Sequence, residues 1–316
     1  MSMTRTHRAA LVVGLLALGA LAACGGDDGG SAEQPTSVAP VSTEAPQPTP
    51  TSEAGEVPER IVSISPTHTE MLFAIGAGDQ VVAVDSLSNY PPEAADVLTD
   101  LSAFEPNVEA IAGYEPDLVV ISDDFTGLTD QLAAVDIPVW SGPAAADFDD
   151  VYEQILDLGQ VTGHVSEAEA LVADMRARVD EILASAPSLD EPLTYYHELD
   201  ETYYSVTSNT FIGHVYGLLG LRNIADMAEG TTDYPQLSAE FIVSTDPDLI
   251  FLACSVYCGT TAESVAARPG WGSMTAVVNG HIFEMDDDVA SRWGPRVVDY
   301  LEAVAAAVSD VVAVPA

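Results

Sequence analysis

Lysine is absent from this 316-residue chain, and all nine of its basic residues are arginine. That absence removes Schiff-base chemistry on an active-site amine and the phosphate-gripping lysine of a P-loop. Positive charge is scarce altogether: 50 acidic residues give a formal net charge of -41. Such a field repels the phosphates of nucleic acids and an anionic membrane surface, which argues against a nucleic-acid role. Cysteine occurs only as Cys24, Cys254 and Cys258, so a metal site built on thiolates is short of soft ligands. No Gly-x-Ser-x-Gly elbow or phosphate loop is present, and His197-Glu198 lacks the second histidine of a zinc hydrolase because position 201 is Glu201. What remains is substantial. Hydrophobic residues make up 47% of the chain, enough to bury a sizeable core, and the acidic surface keeps the protein hydrated, in keeping with a salty habitat.

The N-terminal apolar run Ala9–Ala22 is too short to span a bilayer comfortably, and Arg5, His7 and Arg8 precede it. This is the pattern of a signal peptide. It ends in Leu21-Ala22-Ala23-Cys24, which resembles the lipobox of bacterial lipoproteins and implies that Cys24 is lipidated after removal of residues 1–23. Residues 25–58 hold six prolines, eight serines or threonines and no aromatic side chain. A segment so poor in apolar surface cannot offset the entropy of ordering, so 24–58 is expected to be a disordered tether.

From Arg60 the pattern changes. Ile61–Ile64 reads as a buried strand, and Ser65-Pro66-Thr67-His68-Thr69-Glu70 opens a helix in which Thr67 and Glu70 have capping-box spacing. Val81–Val84, a short helix at Val108–Ala112 and a strand at Leu118–Ser122 continue an alternation of strand and helix, the mark of an α/β sheet. The second half repeats the first. Glu109 and Pro116-Asp117 recur as Glu240 and Pro247-Asp248 at one offset of 131 residues, and Ile75-Gly76 and Tyr90-Pro91 recur as Leu219-Gly220 and Tyr234-Pro235 at one offset of 144. So long a repeat is a duplicated domain rather than a solenoid unit. Between the halves, Ala170, Leu171, Met175, Val179, Ile182 and Leu183 follow a 3.6-residue period, with Ser166 and Glu169 spaced as a second capping box. The expected fold is therefore two similar α/β lobes, 59–163 and 188–316, joined by a long rigid helix within 164–187, with a ligand cleft between them.

The segments Arg60–Pro66 and Thr69–Gly76 resemble the opening of the helix-linked periplasmic binding proteins that deliver cobalamin, ferric siderophores or haem to ABC importers. The resemblance covers residues 59 to about 310. It is closest to the cobalamin-binding members, through Ser86–Pro92, Tyr234–Ser238 and Asp288–Arg292 followed by Pro295-Arg296. It implies aromatic walls at Tyr90, Phe104, Tyr204 and Tyr234 and a polar pair, Asp288 and Arg292, touching the ligand. A corrin ring suits such a site, because its broad apolar face needs flat partners and its peripheral amides need oriented hydrogen bonds. One wall position, aromatic in cobalamin binders, lies near Asp123 and is acidic here.

His68 falls at a helix N-terminus where the family's cleft lies. That position disfavours imidazolium, leaving either a neutral histidine that contacts ligand or metal, or one that simply satisfies the turn. Cys254 and Cys258 are expected to pair in an exported compartment, pinning a loop at the cleft rim. Glu109 and Glu240 are by resemblance the glutamates that meet arginines on the permease, and the repeat would present one to each half of a dimeric permease. The leading expectation is a monomeric, lipid-anchored substrate-binding protein on the extracytoplasmic face of the cell membrane. It would capture cobalamin or a related corrinoid and use no cofactor, resident metal or catalysis. The alternatives are a ferric siderophore or haem binder, a metal-dependent surface enzyme using His68, His197 and acidic residues, and an adhesive or scaffolding lipoprotein.

Overall fold

The computed structural model describes residues 57–313 apart from 229 and 231. The signal segment, Cys24 and nearly all of the tether lie outside the described residues. Pro58, the last residue assigned to the tether, is buried and belongs to the folded body. The reason lies next to it. The backbone N–H groups of Glu59 and Arg60 donate to the Asp117 carboxylate at 2.8 and 2.9 Å, fixing the chain where it enters the fold.

The first lobe runs β1 (Ile61–Ile64), α1 (Pro66–Ala74), β2 (Val81–Val84), α2 (Val108–Ala112), β3 (Leu118–Ile121), α3 (Leu128–Ala133), β4 (Val139–Ser141) and α4 (Phe148–Thr162). The long α5 (Val165–Ser185) leads to the second lobe. There follow β5 (Thr194–Glu198), α6 (Phe211–Leu218), β6 (Arg222–Asn223), α7 (Ala239–Thr245), β7 (Leu249–Leu252), α8 (Ala262–Ala266), α9 (Thr275–Asn279), β8 (Ile282–Glu284), α10 (Asp287–Ser291) and α11 (Val297–Ala313). The strands form two separate four-stranded sheets with orders β2-β1-β3-β4 and β6-β5-β7-β8, all neighbours parallel. The matching orders bear out the duplication expected from the repeated landmarks. In parallel sheets all carboxyl ends lie along one edge, and the loops leaving that edge are where open α/β folds bind ligands.

Both faces of the central strands are covered, which is why they read as continuous apolar runs. Their side chains alternate between two cores. Leu118 and Val120 of β3 enter one cluster and Val119 and Ile121 another, while Leu249 and Phe251 of β7 enter the first cluster and Ile250 and Leu252 a third. The first cluster is shared. It runs from α1 and α4 through Val172, Met175 and Ile182 of α5 to Phe251 and the buried face of α11, so one apolar core joins the inner faces of both lobes. Arg178 adds exposed ion pairs from α5 to Asp299 and Glu302 of α11, at 2.7 and 3.4 Å.

Neither expected capping box forms. At α1 the N-cap is Ser65, whose hydroxyl accepts from the His68 N–H at 3.5 Å, and Pro66 takes the first helical turn where no N–H is needed. Glu70 is thereby left free to bond across the molecule. At α5 the helix starts after His164, which makes no side-chain cap, and Ser166 donates to Glu167 at 3.0 Å instead.

Candidate functional site

Every residue assigned to the cleft from sequence, His68 excepted, sits in a loop or short turn of helix beyond the carboxyl end of a strand. Tyr90 and Phe104 follow β2, Tyr204 follows β5, Tyr234 follows β6, and Asp288 and Arg292 follow β8. The loops after β5 and β6 are stitched together by the N–H of Ser205 donating to the Pro235 carbonyl at 2.9 Å and by an antiparallel bridge between Tyr204 and Gln236. Tyr204 and Tyr234 are thus carried on one platform, both exposed.

Between the lobes lies a cavity of about 310 Å³. The first lobe contributes Ala144, Ala145 and Ala146, and the second contributes Phe211, Ile212, Tyr234, Arg292, Trp293 and Tyr300. Beside it a buried polar chain runs from the Tyr300 hydroxyl to the Tyr216 hydroxyl at 2.6 Å and on to His197 Nδ1 at 2.9 Å. Burial raises the Tyr216 hydroxyl well above its ordinary value and pushes His197 down to about 3, so this chain is uncharged across the neutral range.

Arg292 organises the polar wall. Its Nη2 donates to Asp288 Oδ1 at 2.6 Å and to the Leu87 carbonyl at 3.0 Å, while Nη1 donates to Asn89 Oδ1 at 2.9 Å and Glu70 Oε1 at 3.1 Å. Asn89 completes the ring by donating to Asp288 Oδ2 at 2.7 Å. Arg296 takes the rest of Glu70, donating Nε to Oε2 at 3.0 Å and Nη2 to Oε1 at 2.6 Å, and its guanidinium lies 4.0 Å from the centre of the Tyr90 ring. Such forked, charge-assisted contacts fix geometry as well as energy. Glu70 and Asn89 belong to the first lobe and the arginines to the second, so this network ties the lobes together at the cleft.

Of the seven residues assigned to ligand contact, Tyr234 and Arg292 line the cavity, Asp288 and Tyr90 adjoin the arginine network, Tyr204 shares the platform of Tyr234, and Phe104 is 78% exposed in the segment after β2. His68 is the correction. It is completely buried, with Nδ1 accepting from the Ser65 hydroxyl at 2.7 Å and Nε2 donating to Gln154 Oε1 at 3.0 Å. Trp140 and Trp293 press edge-on against its ring, and any Cβ at Gly142 would collide with it. Burial pushes its pKa down to about 4, against the raising effect of the Gln154 bond, and both ring nitrogens are already used. It braces the cleft from below rather than lining it. His68 and His197 sit in separate hydrogen-bonded networks and do not converge, and among the described residues no group of three metal-ligating side chains gathers.

Cys254 and Cys258 form a disulfide in the loop after β7. Glu109 and Glu240 are exposed in the first turns of α2 and α7, helices capped by Asn107 and Ser238. Sequence reasoning passed over Glu70, Asn89, Arg296, Asp287, Tyr257 and Phe125. Phe125 is 91% exposed and stands two residues beyond Asp123, so an aromatic side chain is present close to the wall position that had been read as acidic. The available signal was an aromatic residue between turn-forming Asp124 and Gly127, where no core packing asks for one.

A model of the periplasmic binding protein family matches residues 61–289. The chain is 33% identical over 249 residues to a cobalamin-binding protein of Halobacterium salinarum, a match covering 77% of this chain and 67% of that one. It is 30% identical over 302 residues to an uncharacterized ABC transporter substrate-binding lipoprotein of Bacillus subtilis, covering 92% and 93%. A solved structure, the periplasmic haem-binding protein RhuT of Roseiflexus sp. RS-1 in apo form, aligns with a TM-score of 0.72 at 24% identity over 80% of this chain and 98% of that one, a likeness of fold. The matched stretch runs from β1 of one sheet to α10, just beyond the last strand of the other, and the chain belongs to the periplasmic binding protein family, among the substrate-binding proteins of ABC importers.

Proposed function

We propose that the protein captures cobalamin or a closely related corrinoid in the cleft between its lobes and hands it to a dimeric permease, without catalysing a reaction. The observation that carries the reading is the composition of the loops at the carboxyl edges of the sheets: they carry exposed aromatic side chains at Tyr90, Phe104, Tyr204 and Tyr234 and one ordered polar group, Asp288 with Arg292. Flat apolar walls and a few oriented donors and acceptors are what a corrin face and its peripheral amides require. The relative from Halobacterium salinarum, itself a cobalamin-binding protein, supports the same choice. Highly anionic iron catecholates call for several unpaired cationic donors, whereas Arg292 and Arg296 are both committed to carboxylates. Attachment through a lipid on Cys24, with the residues ahead of Pro58 as tether, keeps the folded body on the extracytoplasmic face near its permease. Native mass spectrometry of protein purified from its own host tests the ligand. The expected result is a retained mass matching a corrinoid in one-to-one ratio, and a retained haem or ferric chelate would overturn the assignment.

A further inference from the structure

The offset of 131 residues that carries Glu109 onto Glu240 also carries Phe125 onto Val256. Both are exposed apolar side chains, at 91% and 74%, and both stand in the loop that leaves a central strand, β3 in one lobe and β7 in the other. Each loop is anchored at its base by one carboxylate. Asp124 accepts from the N–H groups of Leu128 and Thr129 at 2.7 and 3.0 Å. Asp287, itself buried, accepts from the N–H groups of Ser255, Val256 and Tyr257 at 2.7, 3.1 and 2.8 Å. The second loop is closed once more by the Cys254–Cys258 disulfide. Apolar side chains held outward on a loop this firmly fixed lose little entropy when something covers them.

The position of the loop says what covers it. Tyr257, 62% exposed, donates its hydroxyl to Asp288 Oδ1 at 3.1 Å and accepts from Asn89 Nδ2 at 3.4 Å, and these are two of the residues that hold Arg292 on the cavity wall. The cavity of about 310 Å³ is at the small end of the roughly 300–1,000 Å³ that drug-sized ligands occupy, so a larger flat ligand must extend beyond it onto the rim.

We propose that the Cys254–Cys258 loop is a covalently closed lip of the binding cleft that covers the outer part of the ligand's flat face through Val256 and the ring of Tyr257, with Phe125 the equivalent side chain of the first lobe. The lip selects for ligands broad enough to reach it. The proposal rests on the corrinoid reading, and its test separates the two. Wild-type protein is titrated in parallel with cyanocobalamin and with haemin, and variants are then judged with whichever probe it holds. Val256→Ser combined with Tyr257→Ala should weaken binding by roughly tenfold or more, with unfolding curves unchanged. Tyr257→Phe, which keeps the ring and loses only the hydroxyl, should weaken binding less than the Val256/Tyr257 double variant does. Replacing both cysteines with serine should weaken binding several-fold through faster dissociation, since a loosened loop must be ordered at each encounter. A Val256/Tyr257 variant that binds as tightly as wild type overturns the lip and leaves the corrinoid reading standing. Wild-type protein that holds haemin but not cyanocobalamin overturns the corrinoid reading, while the variants still decide the lip. Binding of neither probe overturns both.

Discussion

Glu70 meets two guanidinium groups in a nearly dry setting, and the strength of that arrangement depends on its being complete. Removing one partner of a buried ionic group strands the others. Glu70→Gln should therefore cost about 3 kcal/mol of unfolding free energy. A loss below about 1 kcal/mol in denaturant titration would mean that the network is more solvated than its burial indicates. The buried histidines carry a second residue-scale prediction. Burial lowers His68 to about 4 and His197 to about 3, below the unfolded value of roughly 6.5. Between those limits the unfolded chain binds more protons, so each histidine's contribution is complete above roughly pH 6.5 and is lost as the pH falls. At pH 5 that loss is about 2 kcal/mol per histidine. The buried Asp85 carboxyl, raised mainly by desolvation, works in the opposite direction, because its neutral form is the one that the fold prefers. The effect is therefore read as a difference: His68→Gln should lose about 2 kcal/mol less than wild type between pH 7 and pH 5. Equal losses would contradict the buried, neutral assignment. The helical position of His68 was legible in the sequence, but its burial was not, because Trp140, Gln154 and Trp293 arrive from distant parts of the chain.

Among the elements, α2 and α7 are the informative pair. Asn107 caps one by accepting from the Ala110 N–H at 3.0 Å, and Ser238 caps the other by accepting from the Phe241 N–H at 3.1 Å. Replacing either cap with alanine should cost about 1 kcal/mol. Glu109→Gln and Glu240→Gln, in the same first turns but exposed, should each cost no more than about 0.5 kcal/mol. Thermal unfolding of the four variants checks the contrast, and a large loss for the glutamates would give them a structural role in place of docking. Strands were readable because β3 and β7 are apolar at every position, and the repeat was readable because Pro116-Asp117 and Pro247-Asp248 introduce equivalent strands. The capping boxes were misread for a local reason. Spacing of a hydroxyl and a glutamate was satisfied at Thr67 and Glu70, yet Pro66 in the first turn sets the start at Ser65, and the arginines of the second lobe recruit Glu70. Nothing in the segment around Glu70 announces partners more than 200 residues away.

In the whole molecule the inner faces of the two sheets share one apolar core through α4, α5 and α11, so a wide rotation of the lobes would have to open that core. Small-angle scattering should accordingly show only a slight compaction when ligand is added, and a large domain closure would contradict the shared core. Glu109 and Glu240 occupy equivalent places in the duplicated lobes, as a two-sided contact with a dimeric permease requires. Reversing both to arginine should abolish uptake in cells and complex formation with the permease while leaving ligand affinity unchanged, and uptake that survives would place docking elsewhere on the acidic surface. The central claim is that this cleft holds a corrinoid between aromatic walls. Calorimetric titration of the wild-type protein with cyanocobalamin tests it most directly. The account predicts saturable one-to-one binding, weakened roughly tenfold by Tyr90→Ala with Tyr234→Ala. Absence of heat and of saturation with cyanocobalamin, alongside tight binding of haemin or a ferric chelate, would contradict it.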